Sequence, residues 1–194
     1  MRDNRVRAGQ FTYYSGLDNP SGISDADKIA WFRGRLEKVV HRPLREVRAL
    51  GATNEAIWDL NLGVVTIICS VIEALGSFYS PDVKDHDAFI RFVTDFMDPV
   101  YGQTSAKSGR SYAEILYGQF RCGLAHGLSI EGHEVATRPA TYILDQNGYV
   151  SIDLWNLFDD VERASNEYLV RLESDTSTRA DFLKRFDRIF VHPY

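Results

Sequence analysis

Two side chains in the middle of the chain have the chemistry to act on a phosphate group. Arg121 and His126 lie in the segment FRCGLAH, residues 120–126, near the end of a predicted helix. A guanidinium group is a permanent cation whose planar fork matches phosphate oxygens. An imidazole can donate or accept a proton near neutral pH, and the negative end of a helix dipole favours its protonated form. The two groups could therefore bind a phosphodiester and move a proton during its cleavage.

The spacing of the pair limits how one chain could use it. On an ideal helix, side chains five residues apart point about 140° away from each other. Arg121 and His126 therefore converge only if the helix loosens at Gly127 or if a second copy of the chain completes the site. The alternative is that His126 caps the helix and Arg121 is a surface residue, since this spacing is also common by chance.

The other candidate residues predict neither a metal site nor a bound cofactor. The two cysteines, Cys69 and Cys122, form neither a CxxC pair nor a Cys/His cluster. The remaining histidines lack partners at ligand spacing, and the acidic groups are typical of helix caps and solvated turns. These histidines are His41, His86, His133 and His192, and the acidic groups are Asp159, Asp160 and Glu162, and Asp82, Asp85 and Asp87. The sequence also lacks a P-loop, a GxSxG motif and an HExxH motif.

The composition is that of a globular protein without a general affinity for polyanions. The chain has 194 residues, of which 44% are hydrophobic and 25% charged, and its formal net charge is −5. This length favours one domain, and the acidic balance confines any nucleic-acid contact to a local basic surface. The start lacks the apolar stretch of a secretory signal, and the apolar run at 62–72 is about half of a membrane span. We therefore expect a cytoplasmic protein that makes no membrane contact.

The chain before the motif is predicted to be an irregular arm followed by helices. Residues 1–24 mix glycine, proline and aromatic side chains, which is typical of such an arm. Ser24 and an acidic first turn begin a helix that continues toward Leu50, and Pro43 is expected to kink it or split it in two. Asn54 is a candidate cap for a second, buried helix ending near Tyr79.

The first predicted helix is amphipathic. Its apolar residues fall within one arc and its basic residues lie opposite. The apolar residues are Phe32, Leu36, Val39, Val40, Val47 and Leu50, and the basic residues are Arg35, Lys38, Arg42, Arg45 and Arg48. This basic stripe could contact an RNA backbone or a partner protein. Alternatively it is a solvated face, partly neutralised by Glu37 and Glu46.

The motif lies in a fourth helix, between a third helix and a short β-hairpin. The third helix is expected over about residues 85–97. Ser111 and Glu114 stand in capping-box register at the start of the motif helix, which is predicted to continue through Ala125, with Gly127 as its left-handed terminator. Alternation and an Asn-Gly pair predict a two- or three-stranded hairpin within 132–154. Helices over about 157–173 and 178–190 complete the chain.

The motif and its setting resemble the HEPN superfamily. Arg121, four intervening residues and His126, late in a helix of an all-helical domain, match the Rx4–6H signature of that superfamily. The surrounding YGQFRCGLAHG, residues 117–127, is similar to segments of uncharacterised bacterial HEPN-like proteins. The resemblance covers residues 25–175 and implies that the helix carrying Glu73 and the motif helix form an antiparallel core pair.

The resemblance also implies an activity and roles for particular residues. Many members are metal-independent endoribonucleases, often toxins or defence proteins, that dimerise so that both Arg/His pairs line one cleft. On this model Arg121 binds the scissile phosphate, His126 does general acid–base work, and the 2′-hydroxyl of RNA attacks. Glu73 and Cys122 would support the pair, although many active nucleases have Asn, Asp or His where Cys122 stands.

The sequence therefore predicts a mainly α fold, in the form of a HEPN-like bundle of five to six helices over residues 25–194, with the small β-hairpin inserted after the motif helix. We expect a homodimer that binds RNA and cleaves it, in a defence or toxin–antitoxin setting with an antitoxin protein as partner. Arg35, Lys38, Arg42 and Arg45 would contact the RNA backbone. The alternative is a non-catalytic, dimeric interaction or regulatory module, since the superfamily also contains members that bind RNA, nucleotides or proteins without cleaving.

Overall fold

Six helices and one small sheet make up the part of the chain that the structure describes. The structure is a computed structural model, and it describes residues 23–51, 60–127, 130, 132–136 and 143–191. Within these ranges the prediction of a mainly α fold with a small β insertion is confirmed. Almost all of the predicted arm, and the predicted cap at Asn54, lie outside the described residues.

The first helix, α1, contains a π-helical turn in its middle. It consists of Asp25–Leu36, the π turn Glu37–His41, and Arg42–Gly51. Ser24 caps it as predicted, because its hydroxyl oxygen accepts a hydrogen bond from the Asp27 backbone N–H. The backbone N–H of Arg42 donates to the Glu37 carbonyl, five residues back, which is the π-helical pattern. The helix is not split at Pro43, and its irregularity is the π turn that comes directly before.

This π turn changes part of the predicted apolar arc of α1: Leu36 is buried and Val40 and Val47 pack against the core as predicted, but Val39 and Leu50 are exposed. One extra residue in a turn shifts all later side chains by about 100° around the axis. Phe32, before the turn, is buried as predicted, but after it Leu44 is buried instead of Leu50, which is 56% exposed. Val39 is 44% exposed, and His41 is buried.

The second helix, α2, is central in the fold and packs closely against the third, α3. Their bounds are Asn61–Tyr79 and Asp85–Phe96. Ile68 and Ile72 are fully buried, as predicted for the middle of α2. The backbone of Gly76 approaches that of Ala88 so closely that an added Cβ would lie 2.6 Å from the Ala88 carbonyl oxygen.

One side of α2 is exposed, contrary to the burial expected around most of its circumference. Leu62 and Ile67 are 43% and 47% exposed. Among the described helices, α2 is long and apolar enough to cross a bilayer, with a mean hydropathy of 1.8 over a window that is half buried. The core helix of a water-soluble protein has the same properties, so this is weak evidence for a membrane span.

The motif helix, α4, also contains a π-helical stretch. It consists of Tyr112–Ile115, the π-helical Leu116–Arg121, and Cys122–Gly127. The predicted capping box is present: Ser111 Oγ accepts from the Glu114 N–H, and the Glu114 carboxylate accepts from the Ser111 N–H at 2.6 Å. The helix extends through Gly127, two residues beyond its predicted end at Ala125, so Gly127 lies within the helix and does not follow it as a terminator.

The predicted hairpin is part of a three-stranded sheet with the order β1-β3-β2. The strands are β1 (His133–Ala136), β2 (Ile143–Gln146) and β3 (Tyr149–Asp153). Strands β2 and β3 are antiparallel around Asn147 and Gly148, whose φ values of 57° and 83° fit the expected Asn-Gly turn. Strand β1 pairs in parallel with β3, which was not predicted. Because β3 is the central strand, it is also the most buried.

The last two helices begin at aspartate caps and pack against α2. They are α5 (Leu154–Ser174) and α6, which consists of Thr176–Phe186 and the π turn Asp187–Val191. Asp153 and Asp175 accept hydrogen bonds from the Asn156 and Thr178 backbone N–H groups, so both helices start two or three residues earlier than predicted. Buried side chains from all six helices and β3 form one hydrophobic cluster, in which Tyr168 of α5 is fully buried.

Candidate functional site

The candidate site is built where α4 changes from π-helical to α-helical geometry. Arg121 is the last residue of the π stretch and Cys122 is the first of the following α-helical segment. Single π turns inside helices often occur at functional sites, because they reorient side chains relative to the regular ladder. From Cys122 to Gly127 the helix is regular, so Arg121 and His126 stay about 140° apart around its axis. The loosening that could bring both side chains together in one chain is therefore not seen.

Arg121 is held by Glu73 of α2 in a two-pronged ion pair. Its Nε lies 3.1 Å from Glu73 Oε2 and its Nη2 lies 2.6 Å from Oε1. The side chains are 25% and 22% exposed, so the pair is half-buried and part of the guanidinium surface reaches solvent. The carboxylate raises the pKa of Arg121 further above its usual range. The predicted proximity of Glu73 to the motif is thus present in the structure, with Glu73 fixing the direction of the guanidinium plane.

Two residues of α4 itself complete the surroundings of Arg121. Its guanidinium carbon lies 5.7 Å from the centre of the Tyr117 ring, within the range of a cation–π contact. Its Nη1 lies 3.8 Å from the sulfur of Cys122. Burial raises the pKa of the Tyr117 hydroxyl. Cys122 therefore contacts the same guanidinium that Glu73 orients, as a weak hydrogen-bond acceptor.

His126 lies apart from this cluster. It is exposed on the last turn of α4, and it forms no hydrogen bond or ion pair with any residue in the described ranges. In the structure Arg121 therefore contacts Glu73 and Cys122, whereas the imidazole of His126 is exposed to solvent.

The sheet supports the helix that carries the motif. The ring of His133 on β1 lies 5.9 Å from that of Phe120, which is fully buried. Tyr112, at the start of α4, donates to the Asp145 carboxylate on β2 at 3.3 Å. These contacts hold α4 against the sheet at Phe120 and Tyr112.

The basic residues of α1 do not form one stripe. Arg35 lines an apolar groove between α1 and α2, with its guanidinium carbon 5.4 Å from the Trp31 ring centre. Arg45 is paired with Glu37 and with Glu162 of α5, with both contacts at 2.7 Å. Lys38 and Arg42 are exposed, so these two remain the more accessible candidates for an RNA backbone.

The basic residues of α1 are neutralised mainly by acidic residues of α5. The periodicity of the sequence could not indicate these contacts between distant residues. Arg48 pairs with Asp159 at 2.6 Å, in the same way as Arg45 pairs with Glu162. The expected contribution of Glu37 is present, whereas Glu46 forms no ion pair with a described residue. Much of the positive charge of α1 is therefore balanced inside the fold.

His41 makes a buried polar contact that the sequence did not reveal. It is 3% exposed, and its Nε2 lies 3.1 Å from the Ser165 hydroxyl of α5. Burial lowers the pKa of His41 below its ordinary value of 6.5, while Glu162 and Glu37 act in the opposite direction. The neutral imidazole is therefore the form that the fold favours.

We predict that acidification destabilises the fold through His41. The unfolded chain takes up this proton at a higher pH than the folded chain, so stability falls as pH decreases from the ordinary His pKa toward the lowered folded value. The loss should approach about 1.4 kcal/mol per pH unit within that window. Urea unfolding in EDTA between about pH 7.5 and 5.5 measures it. His41→Gln should show a smaller loss, and equal losses in both proteins would contradict the prediction.

Two contacts near these sites could be predicted from spacing along one helix: the contact of Tyr117 with Arg121 and that of Glu37 with His41. Each lies four residues from its partner on one helix, Tyr117 before Arg121 and Glu37 before His41, which is the spacing at which side chains meet. Glu162 and Ser165 join His41 from across the fold, and no local pattern indicates such contacts.

Comparison with known proteins adds no identification. The chain matches no protein-family model, no curated protein and no solved structure.

Proposed function

We propose that the chain forms a HEPN-like homodimer that binds RNA and cleaves it without a metal ion, using Arg121 and His126. The observation that carries the proposal is the half-buried Arg121, which Glu73 holds in a fixed direction while a quarter of its side chain, 25%, stays exposed. A guanidinium held in this way is preorganised to bind a phosphate oxygen. The exposed imidazole of His126, on the last turn of the same helix, supplies a group that can transfer protons.

The proposed reaction uses the nucleophile that RNA itself carries. The 2′-oxygen attacks the neighbouring phosphorus, and the bond from phosphorus to the 5′-oxygen of the next nucleotide breaks. The products are a 2′,3′-cyclic phosphate and a 5′-hydroxyl. Arg121 would stabilise the negative charge on the phosphate oxygens, and His126 would transfer a proton at the attacking or the leaving oxygen.

A second copy of the chain is part of this proposal, because one copy directs the two side chains about 140° apart. The side of α2 next to Glu73 offers a surface for it. Ser70 is exposed and lies about 60° from Glu73 around the helix axis, and Ile67, which is 47% exposed, lies about 60° further on. In the proposed dimer, two chains pair so that Arg121 of one copy lies near His126 of the other.

The test of activity is incubation of purified protein with total RNA in EDTA. We expect fragments that end in a 2′,3′-cyclic phosphate and begin with a 5′-hydroxyl, which kinase labelling of the 5′ ends detects without prior dephosphorylation. RNA that stays intact would contradict the catalytic proposal. If the protein is a toxin of a toxin–antitoxin or defence system, its expression should also arrest a host, and coexpressed antitoxin should relieve the arrest.

A non-catalytic, dimeric interaction or regulatory module is the second candidate. The ion pair itself favours it, because Glu73 neutralises Arg121 and Cys122 replaces a polar neighbour. In that case the motif helix would serve mainly as a dimer contact. RNA would stay intact while light scattering reports a dimer.

A further inference from the structure

Three side chains with metal-ligand atoms converge where α1 packs against α5, away from the Arg121 site. Glu37 and His41 belong to the π turn of α1, and Glu162 belongs to α5. One ligand atom from each residue lies within 4.8 Å of those of the other two. The Nδ1 of His41 is 3.8 Å from Glu37 Oε2, which is too long for a hydrogen bond.

The hydrogen bonds of Ser165 determine the tautomer of His41. They show which ring nitrogen carries the proton and which has a free lone pair. The hydroxyl of Ser165 donates to the Glu162 backbone carbonyl at 2.9 Å, so its oxygen is left to accept from His41 Nε2–H at 3.1 Å. The proton of the neutral imidazole is thus on Nε2, and Nδ1 carries a lone pair. This nitrogen belongs to a side chain that is 3% exposed, and it has no hydrogen-bond partner among the described residues.

Two carboxylates and the lone pair of His41 Nδ1 that face one another favour a cation between them. The guanidinium of Arg45 gives positive charge to the two carboxylates, since its Nη2 lies 2.7 Å from both Glu37 and Glu162. Among the described residues Arg45 forms no hydrogen bond with the Nδ1 of His41, so the lone pair of this nitrogen remains available to an ion. The Arg45 side chain is 47% exposed, so it can turn into solvent and give up its place to a smaller ion.

We propose that Glu37, His41 and Glu162 form a binding site for a divalent transition-metal ion, of which zinc is the best match. One imidazole nitrogen and two carboxylates are a ligand set that zinc accepts, with water in the remaining position. The bond from His41 Nε2–H to Ser165 is the outer contact that usually orients a metal-binding histidine. The ion would join α1 to α5 and release Arg45 to the surface. The site does not depend on the proposed RNA cleavage, which uses no metal.

The test is calorimetric titration of zinc into the full chain, prepared without an affinity tag and stripped with EDTA that is then removed. We expect one zinc ion per chain. Because Glu37 is 46% exposed, Glu37→Gln should fold normally and weaken binding at least tenfold. Arg45→Met should instead tighten binding by roughly tenfold, because it removes the competing cation. A merely structural cluster would not respond to these two substitutions in opposite directions.

Two controls separate this site from other zinc-binding groups. His86→Ala removes an exposed histidine that lies 2.9 Å from the Asp87 carboxylate, and it should leave zinc affinity unchanged. Cys122→Ser removes the partly exposed thiol and should also have no effect. The absence of stoichiometric binding to the wild-type chain, or equal affinity in Glu37→Gln, would overturn the proposal. So would loss of the site in Cys122→Ser.

Discussion

Arg121→Ala and His126→Ala are each expected to lower the rate of RNA cleavage by at least about a hundredfold. In the proposed reaction Arg121 supplies the positive charge that meets the phosphate, and its direction is set by the two contacts with Glu73. His126 would supply the group that transfers protons. Initial rates of fragment formation from a defined RNA, measured in EDTA, give both effects.

The controls for these variants separate lost chemistry from lost structure. Arg91 is exposed on α3, and Arg91→Ala should cleave at the wild-type rate. Arg121→Ala leaves the half-buried Glu73 without its partner, so its melting temperature must be compared with that of the wild type. His126 is exposed without such contacts among the described residues, so His126→Ala should melt like the wild type. Unchanged cleavage in both variants would rule out the catalytic role of the motif.

Gly76→Ala is expected to destabilise the fold by about 2 kcal/mol or more. An added Cβ would lie 2.6 Å from the backbone oxygen and 2.8 Å from the backbone carbon of Ala88. Backbone atoms cannot turn aside as a flexible side chain can, so α2 and α3 would have to separate. Urea unfolding followed by circular dichroism measures the loss.

Gly34→Ala is the matched control for this substitution. Gly34 also lies in a helix, but a Cβ added there meets nothing within 4 Å. Because alanine has the higher helix propensity, this variant should be more stable than the wild type by up to about 1 kcal/mol. If Gly76→Ala were as stable as Gly34→Ala, the close approach of α2 and α3 would be contradicted.

Features with a local cause were predictable from the sequence. The caps at Ser24 and Ser111 need only a hydroxyl oxygen and a nearby backbone N–H, and both are present. The turn at Asn147 and Gly148 needs two residues that tolerate positive φ. In each case the residues that identify the feature are the residues that form it.

Features that depend on distant contacts were predicted less well. The π turn in α1 changes which residues face the core. The prediction assumed a constant rotation of about 100° per residue along the helix, and this assumption fails at a π turn. The parallel pairing of β1 with β3 depends on which strand becomes central and buried. The contact of Glu162 with Arg45 joins residues 117 positions apart. For the site, Glu73 was expected near Arg121 only through the HEPN resemblance, because 48 positions separate them.

The most direct test of the proposed two-copy site is to mix Arg121→Ala chains with His126→Ala chains. Each variant alone lacks one of the two groups in every site. Random pairing gives mixed dimers in about half of the cases, and each mixed dimer contains one site with both groups intact if each site takes Arg121 from one copy and His126 from the other. Co-refolding the two variants in equal amounts should therefore restore about a quarter of the wild-type cleavage rate. A mixture that stays as inactive as the separate variants, while light scattering shows that dimers form, would contradict the shared site.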